Sequence, residues 1–117
     1  MSHFISLAEA VDMTSRYRSN KEGILGTNYR NLNILPVCET FDRAAFDSLL
    51  SKEGCDQVRI YYWMDSNLKI HAIIVAADAE GADLLPSTSL NEDEEYDIID
   101  RANRCPDLCP PASALNS

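Results

Sequence analysis

Apolar and polar positions alternate most sharply over residues 57–77. Two β-rich runs, 57–64 and 68–77, flank the polar break Asp65-Ser66-Asn67, which is a hairpin signal. Strand side chains alternate between faces, and a one-residue slip exchanges the faces. A three-residue loop of Asp65, Ser66 and Asn67 pairs Met64 with Leu68, Tyr62 with Ile70, Ile60 with Ala72 and Val58 with Ile74. One face is then almost wholly apolar. The other carries Arg59, Tyr61 and Trp63 beside Lys69, His71, Ile73 and Val75. A two- or four-residue loop mixes polar and apolar side chains on both faces. The three-residue loop needs one left-handed residue, and Asn67 tolerates that conformation best after glycine.

Helical spacing dominates elsewhere. Ser6-Leu7-Ala8-Glu9 is a capping-box pattern with Ile5 placed as a staple. It predicts a helix over 7–19 that buries Leu7, Ala10, Val11, Thr14 and Tyr17. Gly23 and Gly26 break the chain, and 32–37 is a short strand candidate that Pro36 confines to an edge. Thr40 is placed to cap a second helix over 41–52, with Phe41, Ala45, Phe46, Leu49 and Leu50 as its stripe and Gly54 as its stop. Asp78-Ala79-Glu80-Gly81 predicts a turn, and Asp83-Leu84-Leu85 a short strand. A third, acidic helix is expected over 91–103. Acids crowd its start and Arg101 and Arg104 lie near its end, as the helix dipole favours. Its apolar face, Tyr96, Ile99 and Ala102, is narrow. The order implies an α+β fold: a small, mainly antiparallel sheet built round the central hairpin, about 57–77, with the first two helices on its apolar face. Residues 1–104 form a single domain on this reading, and 105–117 a Cys/Pro-rich tail.

Composition narrows the function classes. A chain of 117 residues with 45% hydrophobic and 25% charged residues fits one globular domain. No apolar run approaches the ~18–20 residues a membrane span needs. The start, Met-Ser-His-Phe-Ile, lacks a signal-peptide pattern, so a cytoplasmic protein is expected. The net charge of -9 is uneven: nine of nineteen acids fall between Asp78 and Asp100. Without a basic stripe, nucleic acid is a poor partner, because phosphate neutralisation supplies most of that affinity. Anionic membranes are disfavoured for the same reason.

Candidate chemistry is sparse. Cys105 and Cys109 are a close pair, with Cys38 and Cys55 elsewhere. The pair suits a small metal- or redox-responsive domain, with zinc as the metal, though structural zinc normally takes two such pairs. Four unpaired thiols are the plainer alternative. His71 is the one histidine placed mid-strand, so a small hydrolase or transferase would have to centre on it. No glycine-rich phosphate loop or nucleophile elbow is present. Arg59, Tyr61, Trp63, Lys69 and His71 combine flat aromatics with cationic tips, as protein interfaces do. The leading expectation is therefore a non-enzymatic interaction or self-assembling domain that binds a protein partner, or a second copy, through this aromatic–cationic face.

Four blocks, Ser6-Leu-Ala-Glu-Ala-Val-Asp-Met-Thr-Ser-Arg-Tyr-Arg, Ile34-Leu-Pro-Val-Cys-Glu-Thr-Phe, Gly54-Cys-Asp-Gln-Val-Arg-Ile-Tyr-Tyr and Cys105-Pro-Asp-Leu-Cys-Pro-Pro, resemble a group of small, uncharacterised bacterial proteins. The resemblance spans most of the chain. It implies a stand-alone bacterial cytoplasmic protein, and it carries no assigned activity, cofactor or catalytic residue.

Overall fold

The β-branched and aromatic runs form the expected hairpin, in a shifted register. The computed structural model describes residues 3–86 and 98–116. Strands here numbered β2 (Gln57–Met64) and β3 (Ile70–Ala77) are antiparallel, with Met64 opposite Ile70, Tyr62 opposite Ala72, Ile60 opposite Ile74 and Val58 opposite Ala76. The loop has the expected three residues but sits one position later, at Ser66-Asn67-Leu68. Asp65 N–H donates to the Lys69 carbonyl, and Leu68 N–H to the Asp65 carbonyl. The left-handed residue is Leu68, at φ 66°, and not Asn67. The Asp65 carboxylate decides this, because its Oδ1 accepts from the N–H groups of Asn67 (2.8 Å) and Lys69 (3.0 Å). Aspartate at the first position of a type I turn works this way. Each strand partner therefore moves by two residues, an even number, so the residues that remain in the strands keep their predicted faces, while Leu68 and Lys69 fall in the hairpin end.

The remaining elements are α1 (Leu7–Asn20), a 3-10 turn at Thr27–Tyr29, β1 (Cys38–Thr40), α2 (Arg43–Leu50), β4 (Ile98–Ile99) and β5 (Asn103–Cys105). The N-cap half of the box at α1 is present: the Ser6 hydroxyl accepts from Glu9 N–H at 3.1 Å, and it donates to the Glu9 carboxylate at 3.3 Å. Its predicted buried stripe is not. No residue of α1 is buried, and Leu7 is 69% exposed. Polar bonds hold its far end instead. The Tyr17 hydroxyl donates to the Pro36 carbonyl at 2.6 Å, and Arg18 donates to the Leu115 carbonyl. The second helix starts at Arg43, because Thr40 is taken up in β1 and Asp42 becomes the N-cap residue. The predicted strand at 32–37 is irregular, with Asn33 at φ 58°, and the strand begins just after it.

Of the expected third helix, residues 91–97 lie outside the described residues. Its remaining part is not helical: β4 pairs with β3, through Ile74–Ile99 and Val75–Ile98, and β5 pairs with β1. Arg101 at φ 63° turns the chain between them. The narrow apolar face explains the outcome, since Ile99 gains more by entering the core, where it is buried, than by capping a solvated helix.

The described strands form two sheets, β1-β5 and β2-β3-β4. The core lies where α2 meets the apolar hairpin face: Leu49, Ile74, Ala76 and Ile99 are buried, with Phe41, Ala45, Phe46, Cys55 and Leu84 against them. Phe41 and Phe46 meet edge to face, 6.1 Å apart. Only one end of that face is covered. Val58, Ile60, Tyr62 and Met64 on β2 remain between 45% and 76% exposed, because α1 does not close over them.

The two edges of the hairpin differ sharply. The outer edge of β3 is occupied along its length. Ile70 N–H donates to the Ile34 carbonyl, Ala72 N–H to the Glu39 carboxylate, and Leu84 N–H to the Ala76 carbonyl, while β4 pairs at 74–75. On β2 the bonded Asp65–Lys69 pair sets the alternation, so odd residues turn their backbone groups toward β3 and even residues turn theirs outward. Among the described residues, no backbone group meets that outward edge.

Candidate functional site

The five residues of the aromatic–cationic face separate into three groups, each tied to a carboxylate. Arg59 and Tyr61 both bond to Asp83, which the Asp78–Ala82 turn delivers beside Ala77. The Tyr61 hydroxyl, with the Arg59 guanidinium, holds the Asp83 carboxyl below its ordinary range, and Asp83 in turn raises both partners. Lys69 lies in the hairpin end and not on the strand; its ammonium is 4.0 Å from Asp107. Trp63 and His71 are cross-strand partners with rings stacked at 4.5 Å and 24°. The face is thus internally neutralised, and it differs from the open cationic surface that the sequence implies.

His71 is clasped from both sides. Its Nδ1 lies 3.0 Å from Glu39 Oε2, and its Nε2 lies 2.8 Å from Asp65 Oδ2. Each ring nitrogen thus has a carboxylate as its hydrogen-bond partner. His71, followed by the Lys69 N–H, holds the Asp65 carboxyl below its ordinary range. Glu39 also accepts from Ala72 N–H at 2.6 Å, so one buried carboxylate joins β1 to both the side chain and the backbone of β3. Arg104 completes the group. Its Nη2 donates to the carbonyls of Asn33 (2.6 Å) and Ile34 (2.8 Å), and its Nε to that of Ile70 (3.2 Å). Nε also lies 3.9 Å from Glu39.

Chemically this is a clasp. A general base needs a free lone pair facing a substrate or nucleophile, whereas both nitrogens of His71 face carboxylates. Among the described residues no hydroxyl or thiol bonds to either nitrogen. Among the described residues there is also no group of three or more His, Cys, Asp or Glu side chains suited to a metal ion. Cys105 and Cys109, the pair considered for zinc, are joined as a disulfide, while Cys38 and Cys55 are free.

An apolar groove of about 570 Å³ opens beside the clasp. One wall is the apolar hairpin face: Ile60, Tyr62, Ile70, Ala72 and Ile74. The other is Tyr17 with residues 35–39, including Cys38 and Glu39. It exists because α1 stands off the sheet. Sequence patterning missed Asp83, Glu39 and Arg104. Asp65 carried a turn signal and Asp83 follows the predicted turn at 78–81, but Glu39 and Arg104 are charged residues brought in by distant chain segments, and nothing local marks them.

No family model, curated protein or solved structure matches the chain. Among the described residues no helix is long and apolar enough to cross a membrane.

Proposed function

We propose that this protein is a non-enzymatic self-associating module that pairs with a second copy along β2. The outer edge of an eight-residue strand, which no backbone group meets among the described residues, carries this reading. Such edges are normally blunted by proline, a bulge or free charge. Here β2 has no proline and no acid, and its single cation, Arg59, is tied to Asp83. The copies therefore meet without like-charge contact at the edge, despite a net charge of -9 each.

The faces select the register. A twofold axis normal to the sheet keeps each face on its own side, so residues of like parity must oppose one another. With Tyr61 on the axis, Ile60 faces Tyr62 and Val58 faces Met64 of the second copy. These are the residues whose backbone groups point outward, so the ladder and the apolar strip close together. On the other face Arg59 lies across from Trp63, a favourable cation–π pairing. The aromatic–cationic face thus contributes at the rim, and the apolar face supplies the seam.

Light scattering on the eluting chromatographic peak tests this. The wild type is expected at twice 13.1 kDa. Ile60→Lys buries a charge at the seam, and Tyr62→Pro removes an outward N–H without touching the β2–β3 ladder; both are expected to be monomeric with unchanged circular dichroism. A wild type that stays monomeric up to ~1 mM, where a pairing free energy near 4 kcal/mol would register, overturns the proposal. So does an Ile60→Lys variant that remains dimeric.

A further inference from the structure

We propose that Cys38, Cys105 and Cys109 form a thiol–disulfide exchange centre, with Cys105 as the sulfur shared between two accessible positions. The pairing of β1 with β5 sets Cys38 directly opposite Cys105. Opposed residues of an antiparallel pair have Cα atoms ~4.5 or ~5.5 Å apart, and disulfides span Cα separations of ~4.4–6.8 Å. Either value suits a Cys38–Cys105 bridge without backbone rearrangement. In the structure Cys105 is bonded instead to Cys109, at a Cα separation of 4.4 Å, and Cys38 carries a free thiol. Two mutually exclusive bridges therefore compete for one sulfur.

Accessibility differs among the three. Cys105 is 5% exposed and held in the strand. Cys109 is exposed, on the loop that follows β5, and Cys38 is half-buried on the wall of the apolar groove. The exchange is balanced within the chain. Cys38 loses its proton to solvent, and its thiolate attacks Sγ of Cys105. A Cys38–Cys105 bond forms and the Cys105–Cys109 bond breaks. The electron pair leaves on Cys109 Sγ, which takes a proton from solvent. Nothing is oxidised or reduced overall; the thiol moves from the groove to the exposed loop. The substrate class is a peptide or protein disulfide. The exposed Cys109 thiolate attacks one of its sulfurs, and the other leaves as a thiolate, so that a mixed disulfide remains at Cys109. Cys55 takes no part: its sulfur lies against the core beside α2, 3.5 Å from the Gln57 carbonyl.

Peptide mapping tests this on the whole protein, air-oxidised and freed of reductant. The protein is alkylated with N-ethylmaleimide at neutral pH, unfolded and digested with trypsin. Cys38 lies in fragment 31–43, and Cys105 and Cys109 lie together in fragment 105–117, so a bridge from Cys38 to Cys105 joins two fragments that are otherwise separate. Label on both Cys38 and Cys109 is expected, together with the joined fragments. Cys38→Ser abolishes labelling of Cys109, and Cys55→Ser leaves both products unchanged. Incubation with glutathione disulfide adds glutathione at Cys109 in the wild type and not in Cys38→Ser. An oxidised wild type that labels at Cys38 and Cys55 only overturns the proposal, as does one that labels at all four cysteines. Labelling of Cys109 that persists in Cys38→Ser does so too.

Discussion

Replacing Arg104 by methionine isolates the interaction that ties the small sheet to the hairpin. Arg104 is 5% exposed and bonds three carbonyls, on Asn33, Ile34 and Ile70, from two different chain segments. Methionine fills much of the same volume but leaves those carbonyls to other partners and removes a cation 3.9 Å from the buried Glu39. Hydrogen bonds to charged groups contribute about 1.5–3 kcal/mol each. The sum overstates the loss for two reasons. The guanidinium's own desolvation disappears with it, and so does the penalty of about 1–3 kcal/mol for Nη1, which is buried and has no hydrogen-bond partner. His71 still accompanies Glu39. A net destabilisation of about 3–5 kcal/mol follows, the range for breaking a buried charged group's interactions from one side. Against a domain stability of about 5–15 kcal/mol, the variant should fold but melt about 12–20 °C lower. Urea unfolding monitored by Trp63 fluorescence measures it, with an unchanged slope showing that both states keep their compactness. Arg104→Lys keeps the charge without the fork and should fall between the two. A loss below about 1 kcal/mol for Arg104→Met would overturn this, and would leave the Glu39 bonds to His71 and Ala72 as the link between the two sheets.

Leu68→Gly should stabilise the protein by about 1 kcal/mol in the same assay, since a left-handed leucine at φ 66° costs about 1–2 kcal/mol that glycine avoids; a destabilised variant means that its half-exposed side chain matters more than the turn. The Asp65 carboxyl is depressed below its unfolded value of about 3.9 by His71 and the turn N–H groups. Its stabilisation is therefore complete above that value and is lost as pH falls through the lower folded value. The advantage of wild type over Asp65→Asn should shrink as urea midpoints are followed from neutral pH to below 3.9, and a constant advantage counts against the clasp. Tyr61 has the opposite sign: its hydroxyl is raised, chiefly by donating to Asp83, so its contribution is present below about 10 and fades as pH rises through the folded value. Tyr61→Phe should therefore lose less at high pH than at neutral pH, with phenolate absorbance marking the titration.

The sequence alone determined the α+β class, the hairpin, the membership of its two faces and the cap of α1. These depend on periodicity and short-range hydrogen bonding, which a local pattern records. The face membership survived even though the register moved, because a two-residue shift preserves parity. Tertiary structure decided what the pattern could not contain. Asp65 chose the turn by bonding the backbone on its far side. The unpaired outer edge of β3 recruited Ile34, Glu39 and β4 from distant segments and Leu84 across the next turn, and so took residues 98–99 into a strand and Ile99 into the core. The same competition left α1 without a buried stripe and the apolar side of β2 open. It also set Cys38 opposite Cys105, 67 residues later in the chain. Helix and strand periodicity report which side chains can be buried together; which surfaces find a partner is settled by the supply of covering elements, and among the described residues that supply ends at β2.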